Sequence, residues 1–113
     1  MFQILHNPRC GKSRNCLAFL KENDVPFEVI NYLENPLSAI EIKVLLKKLN
    51  CKPIELVRQK ETIWKDNFKG KPLSDEDIIK ALVKFPILIE RPIVIDSKKA
   101  IIAREIQKLN NFI

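Results

Sequence analysis

The first thirty residues alternate between two short apolar runs and one amphipathic run, and this order constrains the fold more than any other feature. Residues 2–6 and 27–31 are each typical of a strand, and residues 13–23 between them carry apolar side chains at helical spacing. A strand, a helix and a second strand in so short a stretch predict a βαβ unit. Because such a crossover joins parallel strands and is right-handed, the chain is expected to contain a parallel strand pair.

The middle of the chain is expected to be helical. Ser38 is followed by Glu41 in the spacing of a capping box, and apolar residues then recur at helical intervals. Ser74 precedes three acidic residues, which favour the start of another helix because negative charge stabilises a helix N-terminus. Together these patterns predict a helical insertion over about residues 36–85.

Beyond Pro86 the pattern returns to strands. Residues 92–95 and 100–102 flank a polar turn and predict an antiparallel hairpin, and a closing helix follows it. The order of elements predicts an α/β fold of the thioredoxin-like type, with a four-stranded mixed sheet and an inserted helical subdomain. With 113 residues, a single domain spanning residues 1–113 is expected.

Composition restricts the environment and the partners. No apolar run approaches membrane-spanning length, and residues 2–5 are too short for a signal peptide. Three cysteines, an odd number, argue against a disulfide framework, so a reducing compartment such as the cytoplasm is expected. The net charge of +6 is dispersed and not interleaved with aromatic residues. We therefore expect neither a nucleic-acid nor a membrane partner.

Cys10 is the principal candidate for chemistry. It occupies the predicted turn between strand and helix, among the cations Arg9, Lys12 and Arg14. The pKa of a thiol falls at a helix N-terminus and beside positive charge, which favours the nucleophilic thiolate. The same helix N-terminus can bind an oxyanion. His6, the single histidine, is either structural or a cation beside the thiolate.

The other two cysteines are not expected to react with Cys10. From Cys10 to Cys16 a helix turns through roughly 600° and advances about 9 Å, so the two side chains point apart. Cys16 is therefore expected in the core, and Cys51 lies at a predicted helix end. The chain has no Cys-x-x-Cys motif, so a redox cycle needs an external thiol. No metal-binding cluster is expected.

Three arginines stand in apolar surroundings, namely Arg58, Arg91 and Arg104. Each could form a salt bridge with an acidic residue, or the three could converge on a tetrahedral oxyanion, since guanidinium groups bind such anions in a bidentate manner. The sequence alone does not distinguish these alternatives. Arg91 precedes Pro92, and the peptide bond between them is a candidate for the cis form.

Five separated motifs carry a resemblance to a known family. They are His6-Asn7-Pro8-x-Cys10-Gly11-x-Ser13-Arg14-Asn15, Tyr32-Leu33-Glu34-Asn35-Pro36, Leu56-Val57-Arg58, Pro86-Ile87-Leu88-Ile89-x-Arg91-Pro92-Ile93-Val94 and Ala103-Arg104. In this order the chain resembles the glutaredoxin-dependent arsenate reductases, the ArsC-like branch of the thioredoxin superfamily. The resemblance covers nearly the whole chain.

The resemblance implies a role for each matched residue. Cys10 would be the catalytic nucleophile, and His6 and Ser13 would lower its pKa. Three arginines would bind the oxyanion, and the proline that follows the second of them would be the cis-proline that faces the active cysteine. These residues are Arg58, Arg91, Arg104 and Pro92.

The resemblance further implies reduction of arsenate, or a similar oxyanion, to arsenite, with no bound cofactor, glutathione as co-substrate and glutaredoxin as partner. The chain also resembles the Spx-type transcription regulators, which bind RNA polymerase. Those typically carry Cys-x-x-Cys, whereas here Ser13 stands three residues after Cys10. A reductase acting on a substrate other than arsenate, or a thiol-binding protein without turnover, is a further alternative.

Overall fold

The regular elements follow the order that the sequence predicts. A computed structural model describes all 113 residues of the chain. Its strands and helices are β1 (Phe2–Leu5), α1 (Gly11–Glu22), β2 (Phe27–Ile30), α2 (Ala39–Leu49), α3 (Thr62–Asn67), α4 (Asp75–Lys84), β3 (Ile93–Ile95), β4 (Ala100–Ile102) and α5 (Ile106–Phe112). Two single 3₁₀ turns, Pro53–Leu56 and Pro86–Leu88, each open with a proline, which has no N–H to leave unpaired there.

The four strands form one mixed sheet in the order β2-β1-β3-β4. β1 and β2 are parallel, with Ile4 opposite Val29, as the βαβ pattern predicts. β3 runs antiparallel to β1 and forms an antiparallel hairpin with β4. The predicted α/β class and four-stranded mixed sheet are therefore confirmed.

The chain forms two compact units. The first unit comprises Met1–Glu34 and Arg91–Ile113, and it contains the whole sheet together with α1 and α5. Its buried core includes a cluster of apolar side chains from β1, β3, both helices and the residue after β4, namely Ile4, Cys16, Leu20, Val94, Ala103 and Leu109. Apolar burial of this kind is the main stabilising contribution to such a unit. Cys16 lies in this core with none of its surface exposed, as the helical spacing predicts.

The second unit, Asn35–Glu90, is helical. α2 begins at a capping box in which the Ser38 hydroxyl accepts the Glu41 N–H at 3.1 Å and Glu41 accepts the Ser38 N–H at 3.0 Å. α2 packs against α4, and a Lys43–Glu76 ion pair of 3.2 Å joins the two helices. Asn50 ends α2 in the left-handed conformation that a helix terminus often requires.

One boundary differs from the sequence-based expectation in a way that matters for the site. The predicted helix starts at residue 13, but α1 starts at Gly11 because Cys10 itself occupies the extended N-cap position. Lys12 and Ser13 therefore lie in the first turn, where backbone N–H groups have no partner within the helix. No helix of the structure combines the length and the apolar character that crossing a membrane requires.

Candidate active site

Cys10 lies between the end of β1 and the start of α1. Its backbone N–H donates to the Asn7 carbonyl at 3.0 Å, which closes a tight turn through Pro8 and Arg9. Its carbonyl accepts the N–H of Arg14 at 3.0 Å, the first hydrogen bond of the helix. With φ −92° and ψ 122°, Cys10 is the N-cap residue. A side chain at this position faces the unpaired N–H groups of the first helical turn.

Three groups stabilise the Cys10 thiolate. Partial burial of the thiol opposes ionisation, but the backbone N–H groups of Ser13 and Lys12 and a hydrogen bond from the Arg91 guanidinium, with its charge, outweigh this effect. The pKa of Cys10 is therefore lowered from its ordinary value. The structure thus favours a reactive thiolate at this position.

The sequence predicted two sources of stabilisation, the helix N-terminus and the neighbouring cations Arg9, Lys12 and Arg14. The structure shows the first, in the N–H groups of Ser13 and Lys12, whereas the side chains of the three cations are exposed and none of them is a source of the shift. The guanidinium that acts on the sulfur comes from Arg91, eighty-one positions further along the chain. Charge in water is strongly screened, so a buried guanidinium has more influence than exposed neighbours.

A buried hydrogen-bond network holds the loop that carries Cys10. The Oγ atom of Ser13, which has no exposed surface, accepts the Asn7 N–H at 3.0 Å and lies 2.6 Å from His6 Nδ1. The Asn7 side-chain oxygen accepts the Arg9 N–H at 3.0 Å. Asn7 was not among the predicted site residues, although an asparagine followed by proline after a strand is typical of a side-chain-closed turn.

The surroundings of His6 favour its neutral form. Its pKa is lowered from the ordinary value, first by burial and then by the positive charge of Arg14, while a hydrogen bond at Ser13 opposes this shift. Of the two alternatives that the sequence left open, the structural one therefore fits better at neutral pH, and an effect of His6 on the pKa of Cys10 stays a prediction. Arg14 also donates from Nη1 to the Pro8 carbonyl at 2.9 Å, so it contacts the same loop from its outer side.

Arg91 and Arg104 lie together in the first unit. Arg91 is 4% exposed, and its guanidinium faces the Cys10 sulfur. The Arg91–Pro92 peptide bond is cis, as predicted from the sequence. Arg104 Nη1 donates to the Arg91 carbonyl at 2.8 Å, and the Ala103 N–H donates to the Pro92 carbonyl at 2.8 Å.

Arg58 belongs to the second unit and has an acidic partner there. It forms an ion pair with Glu61, three residues along the chain and just before α3, and both side chains are mostly buried. The backbone N–H of Arg58 donates to the Leu88 carbonyl at 2.7 Å. The salt-bridge alternative raised by the sequence is therefore what Arg58 adopts in this structure. Its role towards an oxyanion remains a prediction.

The remaining thiols are less acidic than Cys10. Burial raises the pKa of Cys16 to about 11. Burial, and to a lesser degree the charge of Glu55, raises the pKa of Cys51.

No group of three or more histidine, cysteine or carboxylate side chains could hold a metal ion. The chemistry that these residues support is therefore that of a single activated thiol beside a guanidinium and the N–H groups of a helix N-terminus.

The chain is similar in sequence to a known protein family and to individual proteins. A model of the ArsC family matches residues 5–112. The chain is 49% identical over 104 residues to "Uncharacterized protein YfgD" of Escherichia coli strain K12, covering 90% of this chain and 87% of that protein. It is 35% identical over 109 residues to "Arsenate reductase" of Neisseria meningitidis, covering 95% of this chain and 93% of the relative.

A solved structure shows the same similarity in three dimensions. The arsenate reductase from Vibrio cholerae superimposes with a TM-score of 0.92 at 35% sequence identity, over 99% of this chain and 97% of that one. The predicted family resemblance and the thioredoxin-like fold are therefore confirmed.

Proposed function

This chain belongs to the ArsC family, and from that premise we propose that it is an arsenate reductase in which Cys10 is the nucleophile. The observation that carries the proposal is the position of the Cys10 sulfur. It faces two backbone N–H groups and the buried guanidinium of Arg91, and the pKa of the thiol is lowered there. Groups that stabilise a thiolate also stabilise a bound oxyanion and the negative charge of its adduct.

The first step of the proposed reaction is substitution at arsenic. The Cys10 thiolate attacks the As(V) centre of arsenate and an S–As bond forms, while one arsenate hydroxyl takes up a proton from solvent, its As–O bond breaks and it leaves as water. Arsenic remains As(V) in this adduct. Arg91 is the oxyanion ligand that the geometry supports best, because its guanidinium already faces the sulfur. The family resemblance implies the same role for Arg58 and Arg104.

The second step is the reduction. The thiolate of glutathione attacks the Cys10 sulfur and forms a Cys10–glutathione disulfide. The electron pair of the S–As bond passes to arsenic, which leaves as arsenite, As(III). A glutaredoxin thiol then takes the glutathione by thiol–disulfide exchange and returns Cys10 to the thiol. One two-electron reduction of arsenate thus oxidises two thiols to one disulfide and releases one water.

An external thiol is required because the protein offers no second acidic cysteine beside Cys10. Cys16 is fully buried in the core and has a raised pKa, which disfavours it as the resolving thiol. The cycle needs reduced glutathione and therefore a reducing compartment, which is the reason to propose the cytoplasm. The absence of a cysteine at position 13 argues against the Spx-type redox switch.

A coupled assay tests the proposal. Arsenate, glutathione, glutaredoxin, glutathione reductase and NADPH are mixed with the protein, and NADPH oxidation is followed. We expect arsenate-dependent turnover that Cys10→Ser abolishes and that Cys51→Ser, the matched control, retains. Replacing glutaredoxin by thioredoxin and thioredoxin reductase distinguishes the two electron donors. Turnover that survives in Cys10→Ser, or no arsenate-dependent turnover by the wild type with either donor, would contradict the proposal.

A further inference from the structure

Arg104 contacts the site through the backbone of Arg91. Its Nη1 atom donates to the Arg91 carbonyl at 2.8 Å, across thirteen positions of sequence. The neighbouring residue makes a parallel contact, since the Ala103 N–H donates to the Pro92 carbonyl at 2.8 Å. The carbonyls of Arg91 and Pro92, just before β3, are therefore hydrogen-bonded to two consecutive residues just after β4.

Arg91 is the side chain whose location depends on this anchor. It is 4% exposed, and its guanidinium donates to the Cys10 sulfur. A hydrogen bond weakens steeply when its geometry departs from the preferred distance and angle, so a small displacement of the Arg91 backbone would weaken this contact. The groups that stabilise the thiolate are the backbone N–H groups of Ser13 and Lys12 and the guanidinium of Arg91, and Arg104 is not among them.

We propose that Arg104 is a positioning residue, which sets the reactivity of Cys10 by holding the backbone of Arg91 so that the Arg91 guanidinium meets the sulfur. The proposal rests on the part of the proposed function that makes Cys10 the reactive thiol. It differs from the role that the family resemblance implies for Arg104, which is direct contact with the oxyanion.

The test measures ionisation of Cys10 without any oxyanion. The rate of alkylation of Cys10 by iodoacetamide is followed against pH, and mass spectrometry assigns the modified cysteine. Arg104→Met keeps the aliphatic stem but removes the donor to the Arg91 carbonyl. Arg104→Lys keeps a donor that reaches a carbonyl. Lys98→Met, on the exposed turn before β4, is the matched control for loss of one positive charge.

We expect Arg104→Met to raise the midpoint of Cys10 ionisation by about half a unit to one unit, equivalent to a three- to tenfold smaller ratio of thiolate to thiol at a given pH. Arg104→Lys should restore most of the wild-type midpoint, and Lys98→Met should leave it unchanged. In a background of Arg91→Ala, Arg104→Met should cause no further rise, because the group that Arg104 positions is gone.

Two results would overturn the inference. An unchanged midpoint in Arg104→Met would mean that Arg104 does not position Arg91. An equal rise in the wild-type and Arg91→Ala backgrounds would mean that Arg104 acts on Cys10 directly. Slow alkylation of the buried Cys16 in every variant serves as the internal check that the unit is folded. Since no arsenate is present, these results are independent of whether the wild type turns over arsenate.

Discussion

His6 Nδ1 lies 2.6 Å from Ser13 Oγ, and the same oxygen accepts the Asn7 N–H at 3.0 Å. A neutral imidazole can accept the Ser13 hydroxyl proton at Nδ1, so that the hydroxyl proton, the ring nitrogen and the Asn7 N–H each have a partner. Protonation of the ring would turn Nδ1 into a second donor to Oγ, and the hydroxyl proton would lose its acceptor. The network is therefore matched to neutral His6, in agreement with the lowered pKa of this residue.

Stability should consequently fall at mildly acidic pH because of His6. Its pKa is lower in the folded state than the ordinary value of about 6.5, so the unfolded chain binds the proton first as the pH falls. The contribution of His6 to the free energy of unfolding is complete above pH 6.5 and is lost progressively below it. When urea unfolding is measured between pH 5 and 8, the free energies of unfolding of wild type and His6→Gln should therefore converge towards low pH.

The titration of His6 can be followed directly, since the chain contains one histidine. A single imidazole resonance in proton NMR should titrate with a midpoint below 6.5. A midpoint above 6.5 in the folded protein would show that the ring is stabilised as a cation, contrary to the network described above.

Loss of the Ser13 hydroxyl should destabilise the fold. Ser13→Ala leaves the buried Asn7 N–H without its acceptor and His6 Nδ1 without its hydroxyl partner. A buried group left unsatisfied costs about 1–3 kcal/mol, so the free energy of unfolding should fall by that amount. Ser97→Ala, on an exposed turn, is the control and should change the free energy of unfolding by less than about 0.5 kcal/mol. Equal effects of the two substitutions would contradict the assigned role of Ser13.

The three cysteines should differ widely in reactivity. The pKa of Cys10 is lowered, whereas that of Cys16 is raised to about 11 and that of Cys51 is raised by burial. At pH 7.5 iodoacetamide should modify Cys10 at least about a hundredfold faster than Cys16, because the thiolate is the reacting form. Time-resolved peptide mapping measures the three rates. A Cys10 midpoint at or above about 8.5 would show that the turn does not activate the thiol.

Mild oxidation should then give one product. With glutathione disulfide, Cys10 should become glutathionylated while Cys16 remains a buried thiol. Recovery of a Cys10–Cys16 or Cys10–Cys51 disulfide as the main species would contradict the single-cysteine mechanism and would support the Spx-type redox switch.

Binding of an oxyanion should depend on Arg91. Arg91→Ala removes a buried guanidinium that faces the sulfur. Hydrogen bonds to charged groups contribute about 1.5–3 kcal/mol, so the variant should need an about tenfold or more higher concentration of arsenate or sulfate than wild type to protect Cys10 from alkylation. In Lys98→Ala, a substitution on the exposed turn, the oxyanion should protect Cys10 from alkylation as well as it does in wild type. If Arg91→Ala binds the anion as tightly as wild type, Arg91 serves only the thiol and the oxyanion site lies elsewhere.

The same assay examines Arg58. Arg58→Ala should weaken protection as Arg91→Ala does if its guanidinium binds the oxyanion, in addition to its ion pair with Glu61. If the oxyanion protects Cys10 normally in Arg58→Ala but the variant unfolds at a lower urea concentration, Arg58 stabilises the fold and does not bind the oxyanion.

Local patterns were sufficient to predict most of the architecture. The capping box at Ser38, the polar turn between β3 and β4 and the alternation of apolar runs each reflect interactions between residues close in sequence, so their consequences can be deduced without coordinates. The spacing of Cys10 and Cys16 likewise predicted that Cys16 is in the core, because helical geometry alone determines which way its side chain points.

The sequence by itself thus determined the α/β order, the sheet type and the location of Cys10 at a helix N-terminus. Only the tertiary structure decided which charge acts on that thiol and whether the imidazole is charged. Arg91 reaches Cys10 because β3 pairs with β1, a contact between distant segments. The neutrality of His6 follows from burial and from the nearby Arg14, and pKa values depend on such surroundings more than on sequence position.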